Sequence, residues 1–225
     1  MNLAERMKRY EKTYNQIVQP RMPLIIRVDV KAAHTLVKRL GAEKPFDDTF
    51  AENMDSVAKR LVEEIQNSRV AYIQSDEISV LLVDFNKFDT DQWFDGKLQK
   101  IVSVSAAIAS ASMTIRLLRP AYFDSRVISL PEEEVCNYFV WRQRDWIRNS
   151  IEMVARAHFS HKELHKVSNR DALGMLKKKD IDFETLYNDY WKLGRTFDVK
   201  NGLKEAVKFE TTRDFIEQFL AREEM

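Results

Sequence analysis

Two short apolar segments, residues 70–73 and 78–83, are separated only by Gln74, Ser75, Asp76 and Glu77. So short a polar gap has no room for a crossover, and the two segments are expected to form a β-hairpin. Upstream, residues 24–30 form an apolar run rich in β-branched residues that carries Arg27 and Asp29, the pattern of a mostly buried strand. Between run and hairpin, Phe50, Met54, Val57, Leu61, Val62 and Ile65 recur at spacings of three and four, a helix that Asp47 and Asp48 can cap. Downstream, residues 96–118 read as a helix whose Ala106, Ala107, Ala109, Ser110 and Ala111 permit close, buried packing on a sheet. Residues 123–130 alternate as a further strand, and Pro131 with Glu132, Glu133 and Glu134 opens a helix expected to reach about residue 156.

Strand, helix, hairpin, helix, strand is the β-α-β-β-α-β order of a ferredoxin-like antiparallel sheet, an α+β class. We expect its helices on one face and a helical C-terminal extension, which divides the chain into residues 1–157 and 158–225. In this topology the third strand runs antiparallel between the first and second. The carboxyl end of the first strand then meets the hairpin turn, which predicts Asp29 and Asp76 side by side.

The chain has 225 residues with 36 Lys+Arg against 35 Asp+Glu, a net charge of +1, so it is no uniformly basic nucleic-acid binder. The sum conceals a local excess. Between residues 137 and 179 stand Arg142, Arg144, Arg148, Arg156, Lys162, Lys166, Arg170, Lys177, Lys178 and Lys179 against Asp145, Glu152, Glu163 and Asp171. Such a stretch is either a solvated helical face or a surface for an anionic polymer. Cys136 is the only cysteine, which rules out an internal disulfide and suits a reducing compartment. The longest charge-free stretch, residues 101–115, is shorter than the roughly 20 residues a membrane-spanning helix needs, so no membrane partner and a cytoplasmic location are expected.

Two carboxylates a few ångström apart either share a proton or hold a divalent cation. Next to phosphates that cation is usually magnesium, which takes one or two carboxylates together with substrate oxygens. Arg27 and Lys44 are phosphate partners by charge. His158, His161 and His165 lack the cysteine or carboxylate pattern of a zinc site.

The segments RVDVKAAH (27–34), KPFDD (44–48), YIQSDEIS (72–79), FDSRV (123–127), WRQRDWIRNS (141–150) and HFSHKEL (158–164) resemble the tRNA-histidine guanylyltransferase superfamily, in order over residues 20–193. Their pattern is most similar to its bacterial and archaeal guanylyltransferase-like branch, the 3′-to-5′ reverse RNA polymerases. The resemblance implies a polymerase-palm-like domain that adds nucleotides to the 5′ end of tRNA with ATP and GTP as substrates. It implies two magnesium ions on Asp29, Asp76 and the backbone carbonyl of Val30. It further implies a nucleotide lined by Lys31, Ala32, Ala33, His34 and Ser75 with Arg27 and Lys44 on the triphosphate, and a homotetramer built as a dimer of dimers. RNA contact is expected from Arg142, Asn149, Lys162 and Lys166.

Two departures from the family pattern stand out. Val30 and Ala33 replace a glycine and an aromatic residue, and a glycine at that place suggests a positive φ, costly for a β-branched side chain. Ile147, Arg148, Asn149 and Ser150 stand where the tRNA-histidine enzymes carry His-Ile-Asn-Asn, which points to templated repair of 5′-truncated tRNAs. A palm-fold nucleotide cyclase and a catalytically weakened RNA-binding relative are the competing readings.

Overall fold

A computed structural model describes residues 1–222. Its strands are β1 (Leu24–Val30), β2 (Ser68–Gln74), β3 (Glu77–Leu82), β4 (Phe123–Ser129), β5 (Arg195–Asp198) and β6 (Gly202–Glu205). Its helices are α1 (Leu3–Lys12), α2 (Ala33–Leu40), α3 (Asp48–Glu64), α4 (Leu98–Leu117), α5 (Glu132–His158), α6 (Asn169–Lys177), α7 (Phe183–Leu186), α8 (Asp189–Lys192) and α9 (Asp214–Glu217). The six strands form one sheet in the order β4-β1-β3-β2-β5-β6, each antiparallel to its neighbours. The first four strands reproduce the expected ferredoxin-like arrangement.

Period-two alternation gives each strand two faces. Ile26, Val28, Val30, Ala71, Ile73, Ile78 and Val80 point one way and meet Met54, Val57 and Leu61 of α3 and Ile101, Ala109 and Met113 of α4. Each large side chain sealed in this layer contributes about 1.5–3 kcal/mol. Asp47 caps α3 as expected, its Oδ1 accepting the Phe50 amide at 2.6 Å. Ile25, Tyr72, Leu81 and Val83 point the other way and meet Val135, Tyr138 and Phe139 of α5, with Phe209 and Ile216 from the C-terminal segment.

That second layer corrects the expectation of helices on one face. α5 crosses the side opposite α3 and α4, because the odd-numbered apolar residues of β1 and β3 need cover of their own. The C-terminal extension is not purely helical either. After α6 and α7 pack on the distal half of α5 around Ile151, Val154, Leu176 and Phe183, the chain returns and lays β5 against β2. β5 is four residues, Arg-Thr-Phe-Asp, all buried, with no apolar alternation to announce a strand. The expected division at 157/158 falls inside the last turn of α5, and residues 223–225 of the expected extension lie outside the described residues.

α4 is long and apolar enough to cross a membrane by length and composition. Here it packs through Ile101, Ser105, Ala109 and Met113, as the crossover before β4, with its outer side open rather than wholly buried as expected.

Candidate active site

β1 ends where the β2–β3 hairpin turns. Asp29 is the register partner of Glu77 on one side and of Asp124 on the other. The Val30 amide donates to the Asp76 carbonyl at 3.0 Å, which pins the end of β1 to the turn. Ser75 makes the turn with a φ of 46°. The structure thus brings Asp29 and Asp76 together at one sheet edge.

The electrostatics there are unbalanced. Burial raises the Asp76 carboxyl above the ordinary range, and the charge of Asp29 raises it further against hydrogen bonds from its own backbone and Ser75. Burial likewise raises Glu77, opposed by Arg142. Asp29 Oδ2 is buried without a hydrogen-bond partner, although Arg27 Nε and Arg126 Nη2 each stand 3.5 Å away. Arg126 spends its hydrogen bond on Asp124 at 2.8 Å. A carboxylate oxygen without a hydrogen bond, near a second carboxylate, offers the oxygen ligands that magnesium takes when substrate oxygens and water complete its shell, so the two residues fit that ion, although no group of three or more such side chains gathers among the described residues and Arg27 and Arg126 are the cations nearest that oxygen.

Strand β1 passes directly into α2, a helix the sequence reading overlooked. Ala32 is its N-cap at φ 55°, ψ 44°, with no side-chain cap, and the first amides, at Ala33 and His34, are therefore open to an anion. Lys31 is exposed beside them, its amide donating to the Tyr122 carbonyl at 2.7 Å. Lys44 is also exposed, in the loop between α2 and α3, and no described residue pairs with it. Two residues on, Phe46 anchors that loop by stacking on Trp191 at 4.7 Å between ring centroids.

The backbone at residue 30 corrects one expectation. The left-handed positions are Ala32 and Ser75, whereas Val30 keeps strand geometry and buries its side chain in the core beneath α3 and α4. Val30→Gly should therefore relieve no strain and should cost about 3 kcal/mol, from a lost buried side chain and a looser strand. Urea unfolding measures it, and an unchanged midpoint would show that the site closes without the valine.

The basic stretch is also partly rewritten. Arg142 is buried, with Nε and Nη2 on the two oxygens of Glu77 at 2.7 and 2.6 Å and Nη2 also on Asp145 at 3.1 Å. It faces the sheet and not an RNA surface, because its position on α5 lies over the face from which Glu77 projects. Arg144 pairs with Glu210, Arg156 with Glu152 and Arg148 with Asp145, and Lys177 stands 3.8 Å from Asp182. Glu210 and Asp182 lie outside the stretch and reduce its excess. Asn149, Lys162 and Lys166 are exposed, and the two lysines have no acidic partner among the described residues. Glu77, Arg126 and Asp124 were not singled out from sequence. Their signal was the two-residue alternation that puts them on the same face as Arg27 and Asp29.

Residues 4–131 match the family model described as tRNAHis guanylyltransferase. The chain belongs to the tRNAHis guanylyltransferase family. That family consists of nucleotidyltransferases, and the match covers the whole of the edge just described. Among solved structures, a bacterial tRNA(His) guanylyltransferase-like protein in complex with ATP superposes with a TM-score of 0.93 at 37% identity, over 97% of this chain and 99% of that one. The same kind of bacterial protein in complex with GTP gives 0.85 at 37% identity, over 97% and 98%. The Saccharomyces cerevisiae enzyme shares the fold, with a TM-score of 0.74 at 19% identity over 88% of this chain and 96% of that one. The tRNA(His) guanylyltransferase of Debaryomyces hansenii is 30% identical over 159 residues, 65% of this chain. The chain spans 57% of that enzyme's length.

Proposed function

We propose that this family member is a magnesium-dependent nucleotidyltransferase that extends tRNA in the 3′-to-5′ direction, adding nucleotides to 5′-truncated ends as a templated repair. The observation that carries the reading is the orphaned Asp29 carboxylate facing the turn of Asp76, with the open N-terminus of α2 beside it. The ATP and GTP complexes of the bacterial relatives, at 37% identity, support both nucleotides as substrates.

In this reading Asp29, Asp76 and the Val30 carbonyl hold two magnesium ions. The chemistry such ions supply when bound is neutralisation of charge on the triphosphate oxygens and activation of the attacking hydroxyl. The chain's own part is to collect the triphosphate. The amides of Ala33 and His34 offer it donors and the positive end of the α2 dipole, while Arg27, Lys31 and Lys44 supply charge. Ser75 fixes the turn from which Asp76 projects. Because burial raises the Asp76 carboxyl, its protonated form persists to higher pH than an ordinary aspartate, and magnesium affinity should fall as pH drops through that range. The working assembly in this reading is a homotetramer, a dimer of dimers.

The test is transfer of labelled nucleotide from ATP and GTP to a 5′-truncated tRNA with magnesium, and again with chelator. Magnesium-dependent incorporation at the 5′ end is expected. Absence of incorporation into any 5′-truncated tRNA would overturn the reading.

In this reading Lys162 and Lys166, exposed and without an acidic partner among the described residues, contact the tRNA phosphates. Replacing both by alanine should weaken tRNA binding and flatten the slope of log affinity against log salt by about 2, near 0.9 for each lost contact. An unchanged slope in a variant of unchanged oligomer mass would remove these lysines from the RNA surface.

A further inference from the structure

Glu77 has no task in the chemistry above, yet it follows Asp76 directly and stands opposite Asp29 in strand register. Its carboxylate is buried and held from beneath the site. The guanidinium of Arg142, on α5, takes both oxygens at 2.7 and 2.6 Å, and Gln74 Nε2 adds a bond to Oε1 at 2.9 Å. Arg142 is itself fixed, by Asp145 at 3.1 Å and by the Trp141 ring at 4.7 Å.

Arg27 stands between the two carboxylates that flank it. Its Nε is 3.5 Å from Asp29 Oδ2 and 3.8 Å from Glu77 Oε2, and it is hydrogen-bonded to neither. We propose that Arg142 is a positioning residue for the nucleotide site: by neutralising Glu77 from α5, it leaves Arg27 free to serve Asp29 and the triphosphate. The inference rests on the reading that Arg27 meets the triphosphate.

The physical reason is competition for a buried charge. An unpaired buried carboxylate is costly and recruits whatever cation it can reach. Among the described residues, Arg27 is the other cation within 4 Å of Glu77. A shift of about 1 Å would turn that contact into a charge-assisted hydrogen bond. Arg27 would then be drawn away from Asp29 and from the substrate. The planar fork of arginine satisfies both oxygens at once, which a lysine ammonium cannot do.

The experiment is a double-mutant cycle on the full chain, read as ATP affinity by calorimetric titration in magnesium. Arg142→Gln should weaken ATP about tenfold and Arg142→Lys about threefold, whereas in an Arg27→Gln background Arg142→Gln should add less than about twofold. Equal losses in both backgrounds, or wild-type affinity in Arg142→Gln, would overturn the positioning role. If circular dichroism shows Arg142→Gln unfolded, the same cycle with Arg142→Lys decides: a loss present only with Arg27 supports the role, and the same loss in both backgrounds overturns it. Transfer to tRNA is not the readout, so a wild type that binds ATP and leaves tRNA unextended sinks the repair reading while the cycle still decides this one.

Discussion

Asp29→Ala and Asp76→Ala are each expected to lower nucleotide addition by at least about a thousandfold, the scale of losing charge stabilisation at a reacting centre. The fold should survive both changes, for different reasons. Asp29 is the penultimate residue of a strand held by pairing to β3 and β4, so its side chain is dispensable for the sheet. Asp76 carries a carboxyl that burial has raised, so the folded state holds its proton more tightly than the unfolded chain does. The sign follows from linkage. Stability is favoured below the unfolded value and declines as pH rises through the raised folded value. Asp76→Asn should therefore lose that decline, and with chelator present its thermal midpoint should match or exceed wild type at neutral pH. Addition rates within tenfold of wild type in either alanine variant would remove the two carboxylates from the reaction.

The largest loss of stability should come from Asp55→Ala, far along α3 from the turn. Asp55 Oδ1 takes Arg195 Nε at 2.6 Å, and Oδ2 takes the Tyr190 hydroxyl at 2.7 Å. The Arg195 guanidinium lies 4.6 Å from the Tyr190 ring centre and is almost completely buried. Removing the carboxylate leaves a buried cation unpaired, a cost of about 3–5 kcal/mol. The same contacts hold β5 and α8 to the body, so the damage should spread to the sheet edge beside β2. Denaturant unfolding measures the loss. Replacing Asp55 by Leu together with Arg195 by Met should recover most of it, because the pair's own desolvation cost disappears with it. A loss below about 1 kcal/mol in Asp55→Ala would mean that Arg195 reaches water once its partner is gone.

The same pair shows why part of the architecture could not be read in advance. β5 is tied to α3 by an ion pair to residue 55, and an ion pair across 140 positions leaves no periodic trace in four residues of sequence. Arg142 is the converse case. Its composition placed it with a basic, RNA-facing stretch, and only the packing of α5 on the sheet turned it inward to Glu77. Val30 was read as strained because a glycine is usual there, whereas the left-handed turn falls two residues later, at Ala32.

The sequence by itself determined what depends on local repetition. The apolar runs of β1 and of the two hairpin segments, the three-and-four spacing of α3 and the brevity of the gap at Ser75 and Asp76 pointed to a hairpin beside an antiparallel first strand, and with it to the meeting of Asp29 and Asp76. Tertiary structure alone decided which face α5 covers, which strand joins β2, and which arginines are spent on carboxylates. Apolar periodicity is written in neighbouring residues, since each face that an element buries must carry apolar side chains at that element's own spacing. Charge pairing is written only in space, because a buried cation takes whichever carboxylate the completed fold brings within reach.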